Sequence, residues 1–282
     1  MQSTLAPILL FVFNRPDHTR QTIDALRRNT LAAQSHLFIY SDAPRNEKDA
    51  ESVNEVRRMI ATVEGFKEVT IIARDENRGL ARNIIDGVTT QVNKYGKVIV
   101  LEDDLITSPH FLTFMNDALD TYHDETRVGH IYACDYTQEP SLPDTYLIRF
   151  TGSWGWATWD RAWKLFNPDG KALLQEMERR QLTHTFDFDG TYPYTRMLRR
   201  QVNGEINSWI ITESRYKTFR IKKSQAPQFK EAVEESRYKQ EQSNRFVRLV
   251  YRALASEIIS ISKASVLLNT PINAVRNQLN LV

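Results

Sequence analysis

Short apolar runs alternate with segments of helical periodicity through the first 122 residues. The apolar runs predict strands at 8–13, 36–40, 69–73 and 98–101. The intervening and following segments repeat apolar residues every three or four positions, which predicts helices at 16–29, 47–63, 80–94 and 109–122. Four strand–helix units joined by short loops indicate an α/β fold with three layers and a mostly parallel sheet.

The second half of the chain has a different pattern. Strands are predicted at 128–134 and 146–150, and helices at 170–180 and 192–203. Beyond residue 215 there is no strand signal. Residues 245–268 place apolar side chains on one helical face and basic side chains on the other, which predicts an amphipathic basic helix. We therefore divide the chain into a main domain, 1–214, and a basic, mostly helical C-terminal extension, 215–282.

The charge distribution supports this division. The net charge of +2 combines about −6 in residues 1–214 with about +8 in residues 215–282. The extension is therefore expected to face an anionic surface such as a membrane, with a solvated helix face as the alternative. The lone cysteine, Cys134, excludes an internal disulfide and fits a reducing compartment. No run approaches about 20 apolar residues, so we expect a cytoplasmic protein, peripheral at most at the inner membrane face.

Three carboxylates follow the fourth predicted strand directly, as Glu102, Asp103 and Asp104. Ligands of open α/β sheets bind beyond the carboxyl ends of the strands. Adjacent carboxylates repel one another unless a cation joins them, and a hard divalent ion suits oxygen ligands. The alternative is a solvated acidic turn that caps the next helix. The chain contains neither a dinucleotide fingerprint nor a P-loop, so a bound metal would suit the task of holding phosphates.

Tryptophan is concentrated in one stretch. Four of the five indoles lie between residues 154 and 163, interleaved with glycines that allow the backbone to approach a ligand. Aromatic faces stack on sugar rings and bases, and indole N–H groups donate hydrogen bonds. This makes Trp154 and Trp156 candidate contacts for a ligand that contains a sugar or a base, and the alternative is a core plug beneath a loop.

Five short motifs occur in a fixed order along the chain. They are FVFNRP at 11–16, YSDAP at 40–44, NRGLA at 77–81, VLEDD at 100–104 and SWGWATW at 153–159. Together they resemble bacterial sugar transferases of the GT-A fold, relatives of the N-acetylglucosaminyltransferase I group. The resemblance covers roughly residues 5 to 212, and it implies a nucleotide-sugar donor, a UDP-sugar in the first place, with Mn²⁺ or Mg²⁺.

The resemblance also implies roles for individual residues. Asp104 matches the metal ligand of the family's acidic motif, and Glu102 and Asp103 match residues that contact the ribose and the sugar of the donor. Two further matches lie outside that motif: Asp42 to the carboxylate that reads uracil, and Arg15 to a residue near the nucleotide. Arg82, just after the third motif, is expected to neutralise the diphosphate.

The catalytic base departs from the family's pattern. Relatives tend to carry Asp-Ser-Trp where this chain has Asn207 in the first position, and an amide cannot accept the acceptor's proton as a base. Glu205 or Glu213 are the nearest substitutes, with Asp187 and Asp189 further away. The segment after Arg215 also lacks the donor-closing part that the family usually carries.

Two functions follow from these observations. The first is a metal-dependent, inverting glycosyltransferase that acts on a glycan or lipid-linked acceptor in bacterial surface-polysaccharide synthesis. The second is a catalytically impaired donor-binding or scaffold protein, which Asn207 and the altered C-terminal part motivate. Nucleic-acid binding is a weaker third reading, because the basic extension contains no recognition module.

Overall fold

The protein is a mixed α/β structure built on one six-stranded sheet. The structure, a computed structural model, describes residues 4–133, 145–148, 151–205, 268 and 270–271. The strands are β1 Ile8–Val12, β2 His36–Ser41, β3 Glu68–Ala73, β4 Lys97–Glu102, β5 Ile131–Tyr132 and β6 Trp156–Trp159. The helices are α1 Pro16–Arg27, α2 Glu47–Ile60, α3 Gly79–Tyr95, α4 Phe111–Thr121, α5 Asp160–Trp163, α6 Gly170–Arg179, α7 Thr183–Phe186 and α8 Tyr194–Val202.

The sheet has the strand order β3-β2-β1-β4-β6-β5. The first four strands in this order are parallel, and β6 pairs antiparallel with both β4 and β5. The carboxyl ends of β1 to β4 therefore lie along one edge, where the loops that follow them can meet. We call this the carboxyl edge. The predicted α/β fold with a mostly parallel sheet is confirmed.

The two faces of the sheet bury separate apolar clusters, because side chains alternate along a strand. On one face, Ile8, Leu10 and Ile39 pack with residues of α1, α2 and α4. On the other face, Leu9 and Phe11 pack with residues of α3 and with Trp163 of α5. All five residues of β1 are buried. The sheet is thus the middle layer of three, as predicted.

Local sequence explains where several helices begin and end. Pro16 occupies the first turn of α1, where its missing N–H is no loss. The side chain of Asn46 caps α2 by accepting the Lys48 N–H at 3.0 Å, and that of Asp169 caps α6. Helix α3 ends at Gly96, whose φ of +77° is the left-handed conformation that glycine favours.

The predictions for the second half were partly wrong. The strand expected at 128–134 is reduced to β5, and residues 146–148 have no regular secondary structure. Strand β6 was not predicted, because its residues were assigned to a tryptophan-rich loop. The amphipathic helix expected at 245–268 lies outside the described residues, apart from Leu268, so the C-terminal extension remains a prediction. Within the described ranges, no helix combines the length and apolar character needed to cross a bilayer.

Candidate functional site

Direct contacts join the motifs at the carboxyl edge. The Asp42 N–H donates to the Val12 carbonyl at 3.3 Å, which links the loops after β1 and β2. The Asp42 carboxylate contacts the loop that precedes α3, and Arg15 reaches the acidic residues after β4. Four sequence motifs, with contacting residues as far apart in the chain as Arg15 and Asp104, 89 positions from one another, therefore form one group of contacting loops.

The acidic residues at the end of β4 are largely buried. Glu102 is 8% exposed and Asp103 is 2% exposed. The Arg15 guanidinium bridges two carboxylates, with Nη2 paired to Asp103 and Nη1 lying 3.0 Å from Asp104. The Phe13 N–H also donates to Asp103 at 3.4 Å. These side chains are therefore buried and ion-paired, and they do not form the solvated acidic turn that the sequence offered as the alternative.

Burial and charge act in opposite directions on this group. Burial raises the pKa of the Asp103 carboxyl, although Arg15 draws that pKa downward and Asp104 raises it further. For Arg15, burial opposes the charged form, but the attraction of Asp103 and Asp104 outweighs it and the pKa is raised. The ion pairs therefore hold Arg15 charged beside a carboxyl that burial makes more basic than usual.

Asp42 is a hydrogen-bonding centre for the loop between β3 and α3. Its carboxylate accepts the Ala43 N–H at 3.0 Å, the Asn77 amide at 3.1 Å, and the N–H groups of Arg78 and Gly79, each at 2.9 Å. The last two N–H groups lie at the start of α3, where a carboxylate is favoured. These four contacts give Asp42 a structural role at the site, and its contact with uracil stays a prediction.

Two arginines that the sequence analysis missed support this loop. Arg57 of α2 donates to the Arg74 carbonyl at 2.6 Å and lies 3.4 Å from the Asp42 carbonyl. Arg74 in turn donates to the Asn83 amide at 3.0 Å and its guanidinium lies over the Tyr40 ring at 5.6 Å. No sequence motif marks Arg57, because its partners are backbone carbonyls of distant loops.

An aromatic and basic group lies beside the end of β1. Arg45 stacks over the half-buried ring of Phe13, with 5.0 Å between guanidinium and ring centre. Asp49 holds Arg45 at 2.8 Å and accepts the Asn14 amide at 2.7 Å. A stacked ring and guanidinium at the carboxyl edge suit a planar aromatic ligand. Phe13 lies in a quoted motif, but neither it nor Arg45 was selected as a site residue.

Arg82 lies at a cleft of about 280 Å³. The cleft separates the first turns of α3 from α6 and α8, and Ile85, Phe166 and Leu198 form apolar parts of its wall. Gln201 also lines it and has a buried amide oxygen without a hydrogen-bond partner among the described residues. The role of Arg82 toward a diphosphate stays a prediction.

The two candidate tryptophans occupy different environments. Trp156 is 2% exposed and its ring stacks between His130, at 5.3 Å, and Trp163, at 6.1 Å. This burial corrects the sequence interpretation, because a core ring presents no face to a donor. Trp154 is half-buried, two residues before the start of β6, and Trp156 pairs with Val100 in β4. Trp154 therefore lies on the carboxyl-edge side of β6 and remains a candidate donor contact.

His130 contacts the segment that leads into β6, through the Gly152 carbonyl and the Trp156 ring. Its Nε2 donates to the Gly152 carbonyl at 3.0 Å, and this fixes Nδ1 as the nitrogen without a proton in the neutral ring. Burial lowers its pKa to about 4. A Cβ on Gly152 would lie 2.2 Å from the Tyr132 ring, so glycine is required there. His130 and Tyr132 thus set the path of the chain into Trp154.

The candidate bases are only partly within the described residues. Glu205 is exposed just after α8, where Arg200 and the Asn203 amide each donate to it at 3.2 Å. Asp187 accepts the Thr195 N–H at 2.6 Å and so serves the start of α8. Two candidates, Asn207 and Glu213, lie outside the described residues. None of these contacts assigns a base.

Asp103 and Asp104 are the described carboxylates that could hold a divalent ion at the carboxyl edge. Among residues 4–133, 145–148 and 151–205, no three Asp, Glu, His or Cys side chains are grouped to share a metal. Asp103 and Asp104 nevertheless offer carboxylate oxygens together, and Mg²⁺-like ions often use one or two carboxylates and take the remaining ligands from water and phosphates. The pair fits an ion of that kind, once Arg15 no longer holds the carboxylates.

Comparisons with known proteins were made for both sequence and structure. A scan against protein-family models found no match, and a sequence search of curated proteins also found none. Solved structures that resemble parts of the chain include the mannosyltransferase PcManGT from Pyrobaculum calidifontis, in complex with GDP-Man and Mn²⁺, with 17% identity and a TM-score of 0.33. They also include TarS from S. aureus, with 11% identity and a TM-score of 0.30.

These likenesses are partial. The PcManGT alignment covers 45% of this chain and 34% of PcManGT, and the TarS alignment covers 42% of this chain and 20% of TarS. The chain thus spans about a third of one protein and a fifth of the other. At such TM-scores, neither likeness carries weight for function, so the functional assignment depends on the motifs and the contacts between them.

Proposed function

We propose that the protein is a glycosyltransferase that binds a nucleotide-sugar donor at the carboxyl edge. The observation that carries this proposal is the contact between four of the five motifs. Arg15 joins the first motif to the acidic motif, and Asp42 joins the second motif to the third. The parallel sheet brings these loops to one edge, and there charged side chains of one motif bind another motif directly instead of extending separately into solvent.

Side chains around the carboxyl edge suit the base, the diphosphate and the sugar of a nucleotide-sugar donor. Phe13 and Arg45 offer a stacking surface for a base, and Arg15 supplies positive charge near the acidic pair. Trp154 lies toward the same edge from β6, where an indole suits a sugar ring. We propose a UDP-sugar as the donor, on the basis of the resemblance.

The reaction we propose is an inverting transfer to a hydroxyl acceptor. A divalent ion at Asp104, bound together with the donor, would neutralise charge on the departing diphosphate. The chain itself has to orient the sugar and accept the acceptor's proton. Glu205 and Glu213 remain the proposed bases because Asn207 cannot ionise.

Calorimetric titration tests donor binding. UDP, UDP-glucose, UDP-galactose, UDP-N-acetylglucosamine and GDP-mannose would be titrated into the full chain, with and without Mn²⁺. We expect one donor family to bind with Mn²⁺, and Asp104→Asn to weaken it at least tenfold. Asp75→Asn is the matched control, because Asp75 is an exposed carboxylate in the neighbouring β3–α3 loop. Absence of any nucleotide binding would refute the proposal.

The second candidate function is donor binding without transfer, and Asn207 is the observation that favours it. A donor-hydrolysis and transfer assay separates the two functions. Sugar transfer by the unchanged chain would exclude the second function, a donor-binding protein that has lost catalysis. Binding without turnover, followed by recovery in Asn207→Asp, would show that the missing carboxylate had removed catalysis.

The acceptor and the location are further parts of the proposal. We propose a glycan or lipid-linked acceptor, and a basic extension that contacts an anionic membrane from the cytoplasmic side. Sedimentation with vesicles tests the second point. Equal binding of the full chain to anionic and neutral vesicles would remove the membrane contact.

A further inference from the structure

Arg15 forms the same contacts with the acidic pair that a bound cation would form. Its two terminal nitrogens pair with separate carboxylates, Asp103 and Asp104. The side chains of these aspartates are 3% and 9% exposed, whereas the side chain of Arg15 is 43% exposed. Two largely buried carboxylates therefore share one guanidinium that remains open to solvent.

This arrangement has a cost for any other cation. A buried carboxylate without a counter-charge is strongly unfavourable, and Arg15 supplies a counter-charge to both members of the pair. A divalent ion at Asp104 would compete for the same oxygen lone pairs and would be repelled by the adjacent guanidinium. The ion can therefore bind well only if Arg15 leaves the carboxylates.

The structure allows Arg15 to leave without unfolding the helix that it precedes. Its carbonyl accepts both the N–H and the hydroxyl of Thr19, each at 2.9 Å. These bonds hold the backbone at the start of α1, while the long side chain extends into partly exposed space. A phosphate offers the guanidinium a bidentate partner as good as the carboxylates.

We propose that Arg15 is a resident counter-cation of the Asp103–Asp104 pair, and that a divalent ion binds this pair tightly only together with a polyphosphate ligand that takes Arg15 away. The proposal rests on the proposed function for the identity of that ligand, the diphosphate of the donor. The exchange breaks no covalent bond. The guanidinium moves from carboxylate to phosphate, and the divalent ion takes its place.

Two binding properties follow from the exchange. In the unchanged chain, the ion alone binds weakly, because its affinity is reduced by the fraction of molecules in which Arg15 still holds the carboxylates. Ion and polyphosphate therefore strengthen each other's binding, and by linkage the strengthening is equal in both directions. Removing the guanidinium should expose the pair to the ion without any polyphosphate.

The test is a titration of Mn²⁺ alone, without nucleotide, followed by the electron paramagnetic resonance signal of free Mn²⁺. We expect Arg15→Gln to bind Mn²⁺ at least tenfold more tightly than the unchanged chain. Arg20→Gln is the matched control, since Arg20 lies in the first turns of α1, the helix that Arg15 precedes, and pairs with the exposed Asp17. The control should keep the affinity of the unchanged chain.

Equal Mn²⁺ affinity in Arg15→Gln and the unchanged chain would overturn the proposal, and so would the absence of Mn²⁺ binding in both. If Arg15→Gln fails to fold, Arg15→Lys replaces it. A lysine ammonium lacks the fork that spans both carboxylates, so this variant should still gain Mn²⁺ affinity, and no gain would overturn the proposal.

The titration is independent of the donor assay. A gain in Mn²⁺ affinity without any donor binding would refute the proposed function alone. Donor binding by the unchanged chain, without a gain in Mn²⁺ affinity in Arg15→Gln, would refute only the proposal that Arg15 is the counter-cation.

Discussion

The carboxylate of Asp42 is expected to stabilise the fold at least as much as it contributes to ligand binding, and Asp42→Asn tests this. Asp42 is 6% exposed, and its carboxylate accepts four hydrogen bonds. The asparagine amide keeps one acceptor oxygen and turns an NH₂ group toward the N–H of Gly79 and the amide of Asn77. Two charge-assisted bonds are lost, at roughly 1.5 kcal/mol or more each. The favourable charge at the start of α3 adds about 0.5 kcal/mol.

The expected loss is therefore about 3–4 kcal/mol, a large part of a typical folding stability of roughly 5–15 kcal/mol. Equilibrium urea unfolding, followed by tryptophan fluorescence and far-ultraviolet circular dichroism, measures it. Asp75→Asn should change the free energy of unfolding by less than about 0.5 kcal/mol. A free energy of unfolding of Asp42→Asn within 1 kcal/mol of that of the unchanged chain would refute the structural role. Loss of UDP binding at unchanged stability would show instead that the carboxylate contacts the uracil of the donor.

Three further predictions concern the core and its pH dependence. Gly87→Ala places a Cβ 2.9 Å from Phe11 and 3.0 Å from Tyr40, so urea unfolding should show a loss of about 1–3 kcal/mol, and an unchanged midpoint would contradict this packing. Arg161→Met removes three hydrogen bonds of 2.7–2.9 Å to carbonyls beyond α4, and the same assay should show a loss of about 2 kcal/mol. Burial holds the pKa of His130 at about 4, below an unfolded value of about 6.5. The unfolded chain therefore binds the proton first, and stability should fall by up to about 3 kcal/mol as the pH drops from 6.5 to 4. The His130→Gln variant should flatten that slope, whereas an unchanged slope would show that the histidine is not the cause.

The first half of the fold could be predicted from the sequence because local signals and tertiary structure agree there. The apolar run at 98–101 is buried on both faces as β4, and the spacing at 80–94 corresponds to α3, Gly79–Tyr95. Strand β6 was missed because glycines and indoles in the residues before and within it resemble a ligand loop. Its strand character depends on pairing with β4, which lies more than 50 residues earlier in the chain.

The site was predictable as a location but not as a set of contacts. Carboxylates at the ends of parallel strands had to meet at the carboxyl edge, so Asp42 and Asp103 were correctly placed there. The ion pairs of Arg15 and the carbonyl contacts of Arg57 depend on distances of 2.6–3.4 Å between separate loops, and no local pattern encodes them. Trp156 was misassigned because the position of a side chain in a strand decides its face, and the strand itself had been missed.

The position of β1 in the sheet has a consequence for how the chain is made. Among the six strands that the structure describes, β1 is the earliest in the chain, all five of its residues are buried in the finished protein, and it lies between β2 and β4. Its partner β4 ends at Glu102, about 90 residues after β1, so synthesis of that partner takes roughly 5–18 s. During that interval a nascent chain carries an unpaired apolar edge. We therefore expect the growing polypeptide to depend on chaperones until β4 has emerged, and to be most prone to aggregation at that stage.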